Sequence, residues 1–387
     1  MEIKQLLGGN ALAGWPQGSP PTSASAAFAE SPPKSRVERL PSAERAAHSA
    51  RQTVFDIGRH DLVSAIERGV MSAQDDFGRA LPMPVAAATA RPYHGQNIFL
   101  LAAVAQERGY DSNAWCSYKA AEARGWQVKK GEKGTRVFFF QQREFETGDT
   151  NEETGEPEMV SRPVLRYTNV FNLSQVDTSK GDPVPEAKGL MPCDKTPSKE
   201  AVQMLDRIGD EMGIEVCFKP EADATVYADS VLTVAAEQLD TDPRATSQLA
   251  LGLLHVALEE GVRSRKPHFD PEIADARRHL RQVMAESLLS MRLGFPILGG
   301  TPLDAGKVVA ATQSAKTAGS HAAGDAEAAV RYVLSFDPHM ADDLKAEGQA
   351  MYDEILDAAG EHADQGFDAS MIDFSYVEQR RAVGMRP

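Results

Sequence analysis

Lys129, Lys130, Lys133 and Arg136 fall within eight residues, on and beside a basic turn bounded by Gly131 and Gly134. Such a turn presents side-chain cations and backbone N–H groups together, which is the chemistry of phosphate contact. Aromatic residues precede it at Tyr93, Tyr110, Trp115, Tyr118 and Trp126. Flat rings of this kind stack on unpaired bases, each worth about 1–3 kcal/mol by truncation. The amides of Gln96 and Asn97 are suited to hydrogen-bonding base edges or sugar. Between Arg91 and Arg143 there are nine Lys/Arg against four Asp/Glu (Glu107, Asp111, Glu122 and Glu132), while the whole chain has a net charge of −15. A locally cationic, ring-bearing block in an anionic protein meets the requirements of a single-stranded nucleic-acid surface. The candidate DNA-binding set is therefore Tyr93, Gln96, Asn97, Trp115, Tyr118, Trp126, Lys129, Lys130, Lys133 and Arg136. The rival account is that the rings belong to the core, with polar tips satisfied, and that the lysines are simply solvated.

The elements that must hold these residues can be read from periodicity and caps. Asn97 to Arg108 places Ile98, Leu101 and Ala105 on one helical face, and Gly109 follows as a C-terminal stop. Ser117 to Arg124 reads as a short helix with Ser117 as N-cap and Gly125 behind it. Thr135 to Glu146 and Val164 to Phe171 are β-branched and aromatic, hence strands, joined across an acidic, turn-rich GDTNEETGEPE stretch. Upstream, residues 1–40 are rich in Gly, Pro, Ser and Ala and are expected to be disordered. An apolar stripe from Val54 to Val70 makes 41–88 a helical extension, ending in an MPVAAATARP connection. Downstream, 179–196 reads as a linker. A second unit has helices at Ser198–Glu211, from Pro243 to about Glu260 and at Pro271–Arg292, with short strands at Ile214–Phe218 and Val231–Val234. Residues 301–387 form an Ala-rich acidic tail, with fifteen Asp/Glu against seven Lys/Arg, helical at Ala326–Leu334 and Met340–Ala358.

The ordered motifs HGQN-x-FLL, ERGY-x-S-x-x-W, SYKAA, GWQVKKGEKGT and YTNVFNLSQV, spread over about 85 residues, closely resemble the N-terminal domain of ArdC-type antirestriction proteins. A similar domain occurs in plasmid TraC-type primases. The family's domain binds single-stranded DNA, so the resemblance implies that function for residues 89–178.

The resemblance extends to LALGLLHVALEEG at 249–261. There the family has a zincin-like HExxH helix and a third ligand on the next helix, about 27 residues on. Two ligands at i and i+4 share a helical face, and a glutamate beside the first histidine activates a metal-bound water. In this chain His255 aligns with the first histidine, Glu259 stands in place of the second, and Glu286 falls at the third. Val256 replaces the general base and cannot accept a proton. A one-histidine, two-carboxylate site for Zn²⁺ or another divalent metal is chemically allowed. The alternative is a retired site with His255 hydrogen-bonded to a neighbouring carboxylate. No residue is assigned a catalytic role.

Composition sets the outer bounds. No apolar run reaches membrane-spanning length, so no membrane partner is expected. Cys116, Cys193 and Cys217 lack CxxC spacing and read as reduced thiols, consistent with a cytoplasmic protein. The fold class expected is α+β, with two small α+β domains: a single-stranded DNA-binding domain and, over 197–300, a degenerate zincin-like domain. The function that follows is a single-stranded DNA-binding accessory protein of a plasmid or phage, protecting incoming strands from restriction. Two other readings stand beside it: a metal-dependent peptidase, and an adaptor that binds a host restriction or nuclease protein directly.

Overall fold

The computed structural model describes residues 54, 56–65, 79–150, 157–187, 191, 193–221, 226–228, 231–235, 237, 243–261, 270–315 and 317–347. The segment expected to be disordered, the Ile66–Val70 part of the early stripe and the tail beyond 347 lie outside these residues. Everything described belongs to one contact unit that starts at Ser42. Among the described residues no helix is long and apolar enough to cross a membrane.

The architecture is α+β. A helix, α1 (56–65), precedes the strands β1 (Val85–Ala86) and β2 (Arg91–Pro92). The next elements are α2 (Gln96–Arg108), β3 (Ala114–Ser117), α3 (Tyr118–Ala123), β4 (Gln127–Val128), β5 (Thr135–Thr150), β6 (Pro157–Asn172) and β7 (Val176–Asp177). β1, β2, β3, β5 and β6 make a five-stranded sheet in the order β2-β1-β3-β6-β5, while β4 and β7 pair separately. Neighbours in the large sheet are antiparallel except β1 and β3. The MPVAAATARP stretch, expected as a connection, is therefore the β1–β2 hairpin. Its strands are two residues long, too short to show a period of two.

The second half runs α4 (Lys199–Glu211), β8 (Glu215–Phe218), β9 (Val226–Ala228), β10 (Val231–Val234), α5 (Pro243–Val256), a π-helical turn (Ala257–Gly261), α6 (Pro271–Leu293), α7 (Ala305–Ser314) and α8 (Ala318–Leu334). A last helix, α9, covers 338–347. Caps fall where side chains can supply the missing acceptors. Ser117, Ser198 and Asp270 accept from the first turns of α3, α4 and α6, and Gly109 and Gly294 close α2 and α6 in the left-handed region. The expected tail proves different over its described part. Ala311, Ala322, Ala323, Ala326, Ala329 and Val333 are all buried, so α7 and α8 are core elements packed on α6. Alanine composition conceals this: small side chains let helices approach closely, yet carry little hydropathy.

One core cluster runs from Leu62 of α1 through Phe99 of α2 and Phe138 of β5 to Leu205, Leu253, Leu289 and Val330. The sheet residues and the helical second half therefore share an interior. Two smaller clusters flank it, one around Trp126 and Cys116, the other around Trp115, Leu101, Val137 and Val170.

Candidate nucleic-acid interface

The basic turn is built by the residues that follow β6. Asn172 accepts from Ser174 N and makes a reciprocal capping box with Gln175, which tightens Leu173–Gln175 into a single 3₁₀ turn. That places the buried Gln175 amide under the basic turn, where it donates to Glu132 Oε2 at 2.8 Å and to Lys133 O at 3.1 Å. The Lys129 backbone N–H donates to Gln175 O at 2.9 Å, and its Nζ reaches Ser174 O at 2.8 Å. From the end of α2, Arg108 donates to Lys133 O at 3.2 Å and to the Tyr110 hydroxyl at 3.0 Å. Arg108, Lys129, Lys130 and Lys133 are all exposed. Glu132, the acidic member of the turn, is engaged by Gln175. The outcome is a rigid turn with four cations gathered at it.

The remaining candidates divide sharply. Trp115 is 0% exposed and Trp126 3%, so neither ring can stack on a base. Trp115 packs with Leu101, Val137 and Val170, its ring edge-on to Tyr110 at 5.9 Å. Trp126 is roofed by the expected linker: its Nε1 donates to Asp182 O at 2.7 Å. A Cβ on Gly181 would lie 2.4 Å from the indole ring, so only glycine fits there. The rival account given above places the rings rightly for both tryptophans, but its satisfied polar tip holds only for Trp126, because Trp115 Nε1 is buried without a hydrogen-bond partner among the described residues. Tyr118 is 60% exposed and remains a candidate. Tyr93 is half-buried against the core.

The two amides are structural. Asn97 Nδ2 donates to Phe138 O at 2.7 Å and Asn97 Oδ1 accepts from Phe138 N at 2.8 Å. β5 is an edge strand, and this side chain pairs the outward N–H and C=O that a neighbouring strand would otherwise take. Gln96 Oε1 accepts from Ser320 of α8 at 2.8 Å. Beside it, His94 Nδ1 lies 2.6 Å from Glu327 Oε1, and Gly95 N donates to Glu327 Oε2 at 2.8 Å. Burial alone would raise the Glu327 carboxyl, but His94, Arg331 and the Gly95 N–H outweigh it and hold the group at about 2. Arg136 is exposed but not free: its Nε and Nη2 donate to the Asp61 carboxylate of α1 at 2.8 and 2.7 Å. That bond raises the guanidinium further above its ordinary value.

Two exposed rings lie outside the expected set. Phe139 is 44% exposed and Tyr167 45%. They lie on opposite faces of the β5–β6 ladder, Phe139 opposite Arg166 and Tyr167 opposite Phe138. In sequence Phe139 is hidden within the run Phe138–Phe140, whereas Tyr167 stands between Arg166 and Thr168, a polar setting that marks an open sheet face.

The His255 region is a cleft of about 490 Å³ lined by His255, Glu286, Gln248, Gln282, Tyr227 and Thr301, among others. Glu259 is absent from its lining. After Val256 the helix loosens into the π turn, so the i+4 residue no longer stacks over His255, and Glu259 sits 3.8 Å from Arg281 instead. The Glu286 carboxylate is fully engaged, accepting from Thr301 N and Oγ1 at 2.7 Å each and from Gln282 Nε2 at 3.1 Å. A Cβ on Gly300 would stand 2.6 Å from its Oε2. Val256 is buried in the core. Among the described residues no three His, Cys, Asp or Glu side chains are grouped so as to hold a metal ion. Of the expected triad, His255 and Glu286 line the cleft while Glu259 is turned away, so the three side chains are not brought together in this structure.

Residues 53–171 match the family described as the N-terminal domain of anti-restriction factor ArdC. The uncharacterized protein y4eC of Sinorhizobium fredii (strain NBRC 101917 / NGR234) is 31% identical over 169 residues, spanning 42% of this chain and 52% of that protein. A DNA primase TraC of Escherichia coli is 26% identical over 303 residues, covering 71% of this chain and 26% of the primase. The chain thus spans about half of the first relative and about a quarter of the second. Two crystal structures of the antirestriction ArdC protein from R388 plasmid, one metal-free and one Mn(II)-bound, share the fold with a TM-score of 0.54. Identity is 22% and 21%, with 75% and 73% of this chain and 98% of each crystal chain covered. Residues 53–171 thus match the N-terminal domain of anti-restriction factor ArdC, and the chain shares the fold of the R388 ArdC structures.

Proposed function

We propose that this chain is a single-stranded DNA-binding antirestriction protein of a plasmid or related mobile element, covering incoming strands against restriction or nuclease attack. The observation that carries the reading is the rigid turn at 129–134, which gathers Arg108, Lys129, Lys130 and Lys133 in a protein of net charge −15. A turn braced from below holds its cations and free N–H groups ready for phosphates at little further entropic cost. Of the three rings expected to stack, Trp115, Tyr118 and Trp126, the exposed Tyr118 is the one left open to a base. The similarity to the antirestriction ArdC protein from R388 plasmid and to a DNA primase TraC supports the setting.

Fluorescence anisotropy of a labelled oligonucleotide against the full chain, across salt, tests the reading. Affinity should fall with a log–log slope of ~0.7 per phosphate neutralised, and duplex should compete poorly. Absent binding, salt-independent binding or a preference for duplex would overturn it. The His255 cleft enters no step of this reading.

A further inference from the structure

We propose that Arg136, Tyr167 and Asn169 form a second contact for single-stranded DNA, one phosphate and one base, which Asp61 closes in the free chain. The proposal rests on the single-stranded DNA reading above.

The three residues share one face of the β5–β6 ladder. Arg136 is opposite Asn169 and Phe138 is opposite Tyr167, and residues two apart on a strand point the same way. Tyr167 and Asn169 are exposed, and the Tyr167 ring leans on Phe138 at 6.2 Å between centroids. An exposed ring steadied by a tilted contact with a core phenylalanine is placed to stack, and the nearby Asn169 amide is placed to hydrogen-bond base or sugar. What the face lacks is a free cation. Arg136 meets the two oxygens of Asp61 in a fork, the geometry in which guanidinium also binds a phosphate. Asp61 thus occupies the place a phosphodiester would take.

The arrangement is exchangeable. The Arg136 side chain is 44% exposed and the Asp61 side chain 19%, so the guanidinium can be reached from solvent by a second anion, and partly exposed pairs contribute modestly to stability. Helix α1 does not depend on the pair, since Leu62 and Ala65 are buried and Gly58 rests against the Phe138 ring. A strand anchored at the 129–134 turn can displace the carboxylate from Arg136 without unseating α1. The face then contributes only to strands already held, which favours longer strands over short fragments.

The test uses the full chain in the same anisotropy titration. If the wild type shows no salt-dependent binding, the parent reading fails and this one with it; the arms below isolate the gate. Asp61→Asn should raise affinity about two- to fivefold, the reciprocal of what an exposed pair is worth, with a melting temperature near wild type. The salt slope should steepen by ~0.7, one more phosphate. In an Arg136→Gln background the gain should vanish. Unchanged affinity in Asp61→Asn, or an equal gain in the Arg136→Gln background, overturns the proposal, because the second outcome is mere loss of a negative charge. A readout on the unaltered chain does not depend on any variant folding. Photocrosslinking of a 5-bromouracil strand should mark Tyr167, and adducts confined to residues 108–133 would overturn the proposal.

Discussion

Glu327 joins the HGQ loop ahead of α2 to helix α8, and exchanging it for glutamine keeps its shape while removing the charge that its neighbours are arranged around. In the folded chain His94, Arg331 and the Gly95 N–H outweigh burial and lower this carboxyl from 4.5 to about 2. At about 1.4 kcal/mol per unit, the charged form is favoured in the folded state by about 3 kcal/mol. The side chain is 14% exposed, so solvent screening reduces this little. The sign follows from a depressed carboxylate: the contribution is fully present above the unfolded value of 4.5 and is lost as pH falls through about 2. Glu327→Gln should therefore cost about 3 kcal/mol near neutral pH, within the range for breaking a buried charge pair. The difference from wild type should shrink to about half by pH ~3. Urea unfolding of both proteins, followed by circular dichroism across that range, measures it. A variant within about 0.5 kcal/mol of wild type near neutrality, the usual spread of surface changes, or a difference that does not narrow on acidification, would refute the reasoning.

The other expectations are narrower. Joint replacement of Lys129, Lys130 and Lys133 by glutamine should weaken oligonucleotide binding and flatten the salt slope by up to ~2 while leaving the melting temperature in place; an unchanged slope counts against the turn. Trp115→Ala should lower stability by about 3–5 kcal/mol, whereas Tyr118→Ala should leave stability alone and weaken strand binding, as paired melts and titrations will reveal. Native mass spectrometry with added Zn²⁺ or Mn²⁺ should find no stoichiometric ion, and His255→Ala should behave as wild type does. An ion retained by wild type and lost on that exchange would contradict the geometry described for the cleft.

Much of the first half was legible because its signals are local. Ser117 caps α3, Gly109 ends α2, and β-branched runs mark β5 and β6 as strands. The location of the cations was legible for the same reason: four of them lie close in sequence. What was not legible was the partner of each group. Asn97 and Gln96 look like base readers, yet their amides are consumed by the β5 edge and by Ser320, over 200 residues away. Arg136 looks free until α1 delivers Asp61. Trp115 and Trp126 look like stacking platforms because composition cannot tell a core ring from a surface ring. In the His255 region the spacing of the helix was read correctly, but the π turn that carries Glu259 off the face leaves no mark in the sequence. The alanines of α7 and α8 carried too little hydropathy to announce that they are interior.

The clasp of His94, Gly95 and Gln96 onto Glu327 and Ser320 bears on how such a gene can be cut and joined. A product that stopped at residue 300 would keep every lysine of the basic turn but leave the His94 ring, the Gly95 N–H and the Gln96 amide at the mouth of α2 without these partners. Recombination that transplants only the front segment must therefore supply a new acceptor for that loop, or inherit the late helices along with it.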